Sequence, residues 1–136
     1  MRDFQETQVT FYTAKILEHA RQPKNFGRVI DPDVQLEELN PLCGDRIRIE
    51  LRLAHDGQIL EARFSGEMCA IAKGSASILF ESLEGKTLNA IEEISDTEVL
   101  ESLAGDIPQN RIQCALLPIS ALRGALRNGG SGGASM

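Results

Sequence analysis

The sequence predicts a single α+β domain, a small antiparallel sheet of about three strands with helices packed on one face. Two observations lead there. Arg46-Ile47-Arg48-Ile49-Glu50-Leu51-Arg52-Leu53 alternates polar and apolar residues without a break, the period of a strand with one buried and one charged face. After Phe64 the period changes, and Ile71, Ser75, Ile78, Leu79, Ser82 and Leu83 fall on one helical face. The chain of 136 residues has the size of one domain and can bury roughly two thirds of its unfolded surface without a disulfide framework.

The elements follow in order. Val9, Tyr12, Ile16 and Ala20 recur at spacings of three and four and predict an amphipathic helix ending near Arg21. The Pro and Gly punctuation of Gln22 to Gly27 terminates it. An extended segment from Val34 to Leu39 is a candidate first strand, and Arg46 to Leu53 is the second. His55-Asp56-Gly57 forms a turn from which Ile59 to Phe64 returns as a hairpin. The central helix follows, with Gly85 as its stop. Thr87 to Ile94 is a weaker helical turn, and Ser95 or Asp96 caps a short helix ending at Gly105. Ala115, Ile119, Leu122 and Leu126 describe a last helix. Pro118 is best tolerated in a first turn, which places the start of that helix near Cys114. One domain is expected over residues 1–127, with a flexible Gly- and Ser-rich tail over 128–136.

Fourteen Lys and Arg against twenty Asp and Glu give a net charge of −6. A surface that acidic repels phosphate backbones, and 4% aromatic residues without Trp leaves few stacking platforms, so no nucleic-acid partner is expected. No stretch approaches the ~20 apolar residues that span a bilayer, and the first residues lack the pattern of a secretion signal. No membrane partner and a cytoplasmic location are expected. An odd number of cysteines in a reducing compartment, Cys43, Cys69 and Cys114, argues against structural disulfides.

All three cysteines sit at element boundaries, where a helix N-terminus favours the thiolate that binds metal or attacks sulfur. Gly44 allows a tight bend that turns Cys43 and Asp45 toward one point. Taken singly, each cysteine is as readily a packed apolar side chain. Spacing alone does not separate the two readings, because none of the three forms a CxxC pair.

Four motifs go further. Ile16-Leu17-Glu18-His19-Ala20-Arg21-Gln22-Pro23-Lys24-Asn25-Phe26-Gly27, Asn40-Pro41-Leu42-Cys43-Gly44-Asp45, Cys69-Ala70-Ile71-Ala72-Lys73-Gly74-Ser75-Ala76-Ser77 and Arg111-Ile112-Gln113-Cys114-Ala115-Leu116-Leu117 occur in this order. Together they resemble the iron–sulfur cluster scaffold family, the U-type proteins of the ISC, SUF and NIF assembly systems. The resemblance implies a shallow site made by Cys43, Asp45, Cys69 and Cys114, holding Zn2+ or a nascent [2Fe–2S] cluster. Three soft thiolates suit either, and the harder Asp45 leaves one weak corner through which a cluster can leave. Three thiolates, one carboxylate and a divalent ion sum to about −2. Arg46, Lys73 and Arg111 adjoin the ligands in sequence and either offset that charge or are solvated surface cations. Gln113 stands where many ISC-type members carry His and SUF-type members carry Lys. It can hydrogen-bond a thiolate or sulfide.

The implied function is a scaffold that assembles a [2Fe–2S] cluster from iron and sulfur supplied by a cysteine desulfurase and passes it to client apoproteins. Cys114, at a helix start, is the expected persulfide acceptor. Asp106-Ile107-Pro108-Gln109-Asn110-Arg111 replaces the Leu-Pro-Pro-Val-Lys chaperone tag of ISC-type members, which argues against handover through a dedicated Hsp70. The alternative is a zinc-dependent sulfurtransferase that accepts persulfide from, and activates, a SUF-type desulfurase. A structural zinc module and a Cys–His hydrolase using His19 or His55 complete the comparison.

Overall fold

The structure is a computed structural model and describes residues 14–40 and 44–128. Helix α1 (Ala14–Arg21) precedes three strands, β1 (Val34–Asn40), β2 (Asp45–Leu53) and β3 (Ile59–Glu67). Helices α2 (Ala70–Glu81), α3 (Leu88–Glu92) and α4 (Asp96–Ser102) follow, then a 3-10 turn (Gln109–Arg111) that runs directly into α5 (Ile112–Asn128). The expected beginning of the first helix at Val9 and residues 129–136 of the expected tail lie outside the described residues, whereas Asn128, expected to open that tail, closes α5.

The strands form an antiparallel meander in the order β1-β2-β3, the α+β arrangement expected. Ile47, Ile49 and Leu51 of β2 and Ala62 and Phe64 of β3 point inward and are buried. They pack against Ala76, Leu79, Phe80 and Leu83 from α2 and its end and against Ile119, Leu122 and Ala125 of α5. Burial of these side chains in one cluster is the main stabilising contribution to the domain.

Helix α1 lies on α2 at backbone contact. A Cβ on Gly74 would stand 2.7 Å from the Ile16 carbonyl oxygen, so only glycine permits this approach. His19 secures the same contact, with Nδ1 2.6 Å from Ser77 Oγ, and that oxygen also accepts from the Lys24 amide at 2.7 Å. The segment after α1 does more than end a helix. Asn25, at φ +64°, and Gly27 bracket a short parallel bridge from Phe26 to Phe64. The chain then crosses the outer face of the sheet to reach β1.

That crossing explains a departure from the alternating pattern. Glu50 belongs to the charged face of β2, yet it is 2% exposed. Its carboxylate accepts from the Val29 amide at 2.7 Å and from Arg28 Nε and Arg48 Nε at 2.9 Å each. A buried charge persists because donors surround it.

The helix ends match the capping chemistry. Ser95, rather than Asp96, caps α4 in a reciprocal box with Glu98, and the helix ends at Ser102 rather than Gly105. The last helix starts at Ile112, so Pro118 falls in its second turn and not its first. The 3-10 turn supplies helical geometry ahead of Cys114, which moves the helix start upstream of the point favoured by proline alone.

Burial raises the Glu50 pKa, but the Val29 amide, Arg48 and Arg28 together outweigh it, and the net shift is downward. Its contribution to stability is therefore present above the unfolded glutamate pKa and lost as pH falls through the lower folded value. Glu50→Gln is expected to cost about 2 kcal/mol at neutral pH and to flatten the acid limb of stability below about pH 4. Urea unfolding across a pH series checks both.

Candidate metal centre

The antiparallel pairing of Arg46 with Glu67 brings the start of β2 and the end of β3 to the same end of the sheet. Asp45 opens β2, and Cys69 follows β3 as the N-cap of α2. Gly44 makes the turn into Asp45 at φ +74°, and its amide donates to the Asn40 carbonyl at 2.8 Å. Asp45 is buried, and its Oδ1 accepts from the Cys69 amide at 3.0 Å. Cys69 Sγ in turn accepts from the Ala72 amide at 3.5 Å. The first turn of α2 is thus capped by Cys69, which is itself tied to the sheet through Asp45.

Cys114 arrives from the other side, as the third residue of α5. Among the described residues, a carboxylate oxygen of Asp45 and the sulfurs of Cys69 and Cys114 all lie within 4.8 Å of one another. Sulfurs on a tetrahedral zinc stand about 3.8 Å apart, so a contraction of about an ångström or less closes this set on an ion. Two soft sulfurs and one carboxylate oxygen fit zinc or iron. Neither thiol is in a disulfide.

The NifU-like N-terminal domain model matches residues 11–129. The chain belongs to this family. The iron–sulfur cluster assembly scaffold protein IscU of Azotobacter vinelandii is 33% identical over 120 residues, which is 86% of this chain and 92% of that protein. The fold is similar to a crystal structure assigned to the SUF cluster-assembly system of Fervidobacterium islandicum AW-1, with TM-score 0.73 and 23% identity over 87% of this chain and 98% of the other. It is equally similar to the N-terminal part of a NifU-like protein from Brucella abortus, with TM-score 0.73, 20% identity and coverage of 88% and 94%.

Within this family frame the other expected residues occupy distinct positions. Cys43, expected as a third thiol ligand, lies outside the described residues. Arg111 reaches the centre, with Nη1 3.9 Å from Cys114 Sγ. Arg46 does not. It alternates with Asp45 onto the outer face, where it meets Glu37 at 3.5 Å and Glu67 at 3.7 Å. Lys73 places Nζ 5.4 Å from the centroid of the Phe26 ring, which engages its charge in a cation–π contact. Gln113 is exposed and faces Asn40 and Leu39 across a notch beside β1.

Access separates the two described thiols. Cys69 is half-buried and lines an open apolar depression of about 240 Å³ with Ile16, Leu17, Ala70, Ile71 and Arg111. Cys114 is 1% exposed. Cys114 stands in the first turn of α5 but is buried there, so its expected role as first sulfur acceptor requires movement of the chain. The histidines are remote. His19 binds Ser77, eight residues and roughly 12 Å along α2 from Cys69. His55 occupies the turn at the opposite end of β2 from Asp45. Neither provides the base a Cys–His hydrolase needs.

Sequence patterning missed one residue near the centre. Ser75 counts simply as part of the packing face of α2, and the signal is its hydroxyl at a fully apolar position. Exposure predicts that iodoacetamide modifies Cys69 of the metal-free protein at least roughly tenfold faster than Cys114. Timed alkylation with peptide mass mapping measures the ratio.

Proposed function

We propose that this protein is a scaffold on which a [2Fe–2S] cluster is assembled from iron and desulfurase-derived sulfur and then passed to recipient apoproteins. The observation that carries the reading is the mixed donor set of Asp45, Cys69 and Cys114 drawn from three elements at one end of the sheet. Family membership supports it, and Cys43 completes the ligand set.

Sulfur arrives as a persulfide on a cysteine desulfurase. A thiolate of the scaffold attacks the outer sulfur, the S–S bond to the donor breaks, and the donor leaves as thiolate. Cys69, on the open depression, is the described thiol a donor meets first. The persulfide sulfur becomes sulfide by two-electron reduction from an external electron donor, which leaves the cysteine as thiolate, and Arg111 beside Cys114 offsets the negative charge that accumulates. Asp45 is the hard donor among soft ones, the bond most readily given up on release.

Asp45 also holds the Cys69 amide, so two substitutions separate its roles. Asp45→Asn retains an oxygen for the amide while removing the charged ligand, and cluster half-life is expected to lengthen roughly tenfold. Asp45→Ala also slows loss, but by less, because the Cys69 amide loses its acceptor. Decay of the visible absorption of loaded protein under a chelator reads both; faster loss in Asp45→Asn than in the unmodified protein removes the weak-corner role.

The function itself is tested by anaerobic assembly on metal-stripped protein with ferrous iron, cysteine, reductant and a cysteine desulfurase. Expected are iron–sulfur absorption that requires Cys43, Cys69 and Cys114, and transfer to an apo-ferredoxin. If zinc-loaded protein instead accelerates the desulfurase and gains a persulfide while the iron arm yields no transferable cluster, the protein is a zinc-dependent sulfurtransferase.

A further inference from the structure

We propose that Ser75 is a positioning residue for the metal centre. Its buried hydroxyl sets the register of α5 against α2, and through that register the separation of the Cys114 and Cys69 sulfurs. The inference rests on the metal-holding role proposed above.

Ser75 is 1% exposed, and its Oγ donates to the Ala115 carbonyl at 2.7 Å. The acceptor is the carbonyl of the residue directly after Cys114. The donor sits six residues beyond Cys69 on the helix that Cys69 caps. One helix therefore carries the first thiol and the donor, and the other carries the second thiol and the acceptor. A serine inside a helix ordinarily returns its hydroxyl to the carbonyl four residues back; here it reaches across to the neighbouring helix.

Two features give this one bond its weight. The cluster that surrounds the thiols joins the small Ala72, Cys114 and Ala115 with the larger Ile16, Ile71 and Leu103, all nearly or fully buried. The small members raise low ridges, which resist sliding of one helix along another less than interlocked large residues do. Pro118, in addition, has no N–H to donate four residues back, so the first turns of α5 contain one internal bond fewer than a regular helix. The turn that bears Cys114 thus depends in part on α2 for its placement.

The test compares unmodified protein, Ser75→Ala and a control, Ile91→Val, which trims a buried side chain on α3 in the main core. Each is titrated with Co2+, then with Zn2+ against a chelator, and its unfolding free energy is measured. Ser75→Ala is expected to bind zinc about tenfold more weakly and to shift the Co2+ ligand-field bands, whereas Ile91→Val leaves both unchanged. A metal-free arm follows alkylation, where Ser75→Ala is expected to speed modification of Cys114 at least about threefold without altering Cys69. Unmodified zinc affinity, bands and Cys114 reactivity in Ser75→Ala overturn the proposal, as do equal changes in Ile91→Val at matched stability. Absence of thiolate-to-cobalt absorption in unmodified protein instead overturns the metal-holding reading, and the alkylation arm still decides whether Ser75 positions Cys114.

Discussion

The pairing register of β2 with β3 is the constraint on which the site depends. With Arg46 opposite Glu67, the residue before one and the segment after the other emerge side by side at one end of the sheet. Asp45 can then accept from the Cys69 amide. A slip of one residue would turn Ile47, Ile49 and Leu51 toward solvent and send Asp45 to the outer face. The apolar stripe that stabilises the hairpin therefore also aims the carboxylate.

Around that hairpin, the two long helices approach the same point by different means. Cys69 is an integral part of α2, because its sulfur caps the helix and its amide is held by the sheet. Cys114 is carried in on α5, whose contacts with the sheet and with α2 decide where the thiol stops. The difference explains why one thiol borders an open depression while the other is buried. It also gives the centre one side built into the sheet–helix junction and another side dependent on helix packing.

The outer face of the sheet is organised by charge. The segment between α1 and β1 closes over Glu50, whose carboxylate is enclosed by an amide and two guanidinium groups. The same segment pairs Phe26 with Phe64 and carries the chain from α1 to the far edge of the sheet. The alternating charges of β2 are thus only partly a solvated surface: Arg46 meets exposed partners and Arg52 a half-buried one, whereas Glu50 anchors the crossing from α1 to β1.

Much of this was legible in the residues alone. Alternation from Arg46 to Leu53, helical spacing after Phe64 and a cap at Ser95 or Asp96 are local signals, because each depends on neighbours within a turn or a strand. The motifs around Asp45, Cys69 and Cys114 likewise identified the donor types. What local pattern could not supply was direction and access. Arg46 and Lys73 closely follow Asp45 and Cys69 in sequence, but strand alternation turns Arg46 outward and the Phe26 ring engages Lys73. The helix start at Ile112, the burial of Cys114 and the bond from Ser75 to Ala115 arise from contacts between segments tens of residues apart. The sequence determined which atoms are available for metal chemistry; only tertiary packing decided which of them meet, because separation and burial are properties of neighbouring elements and not of the chain's local period.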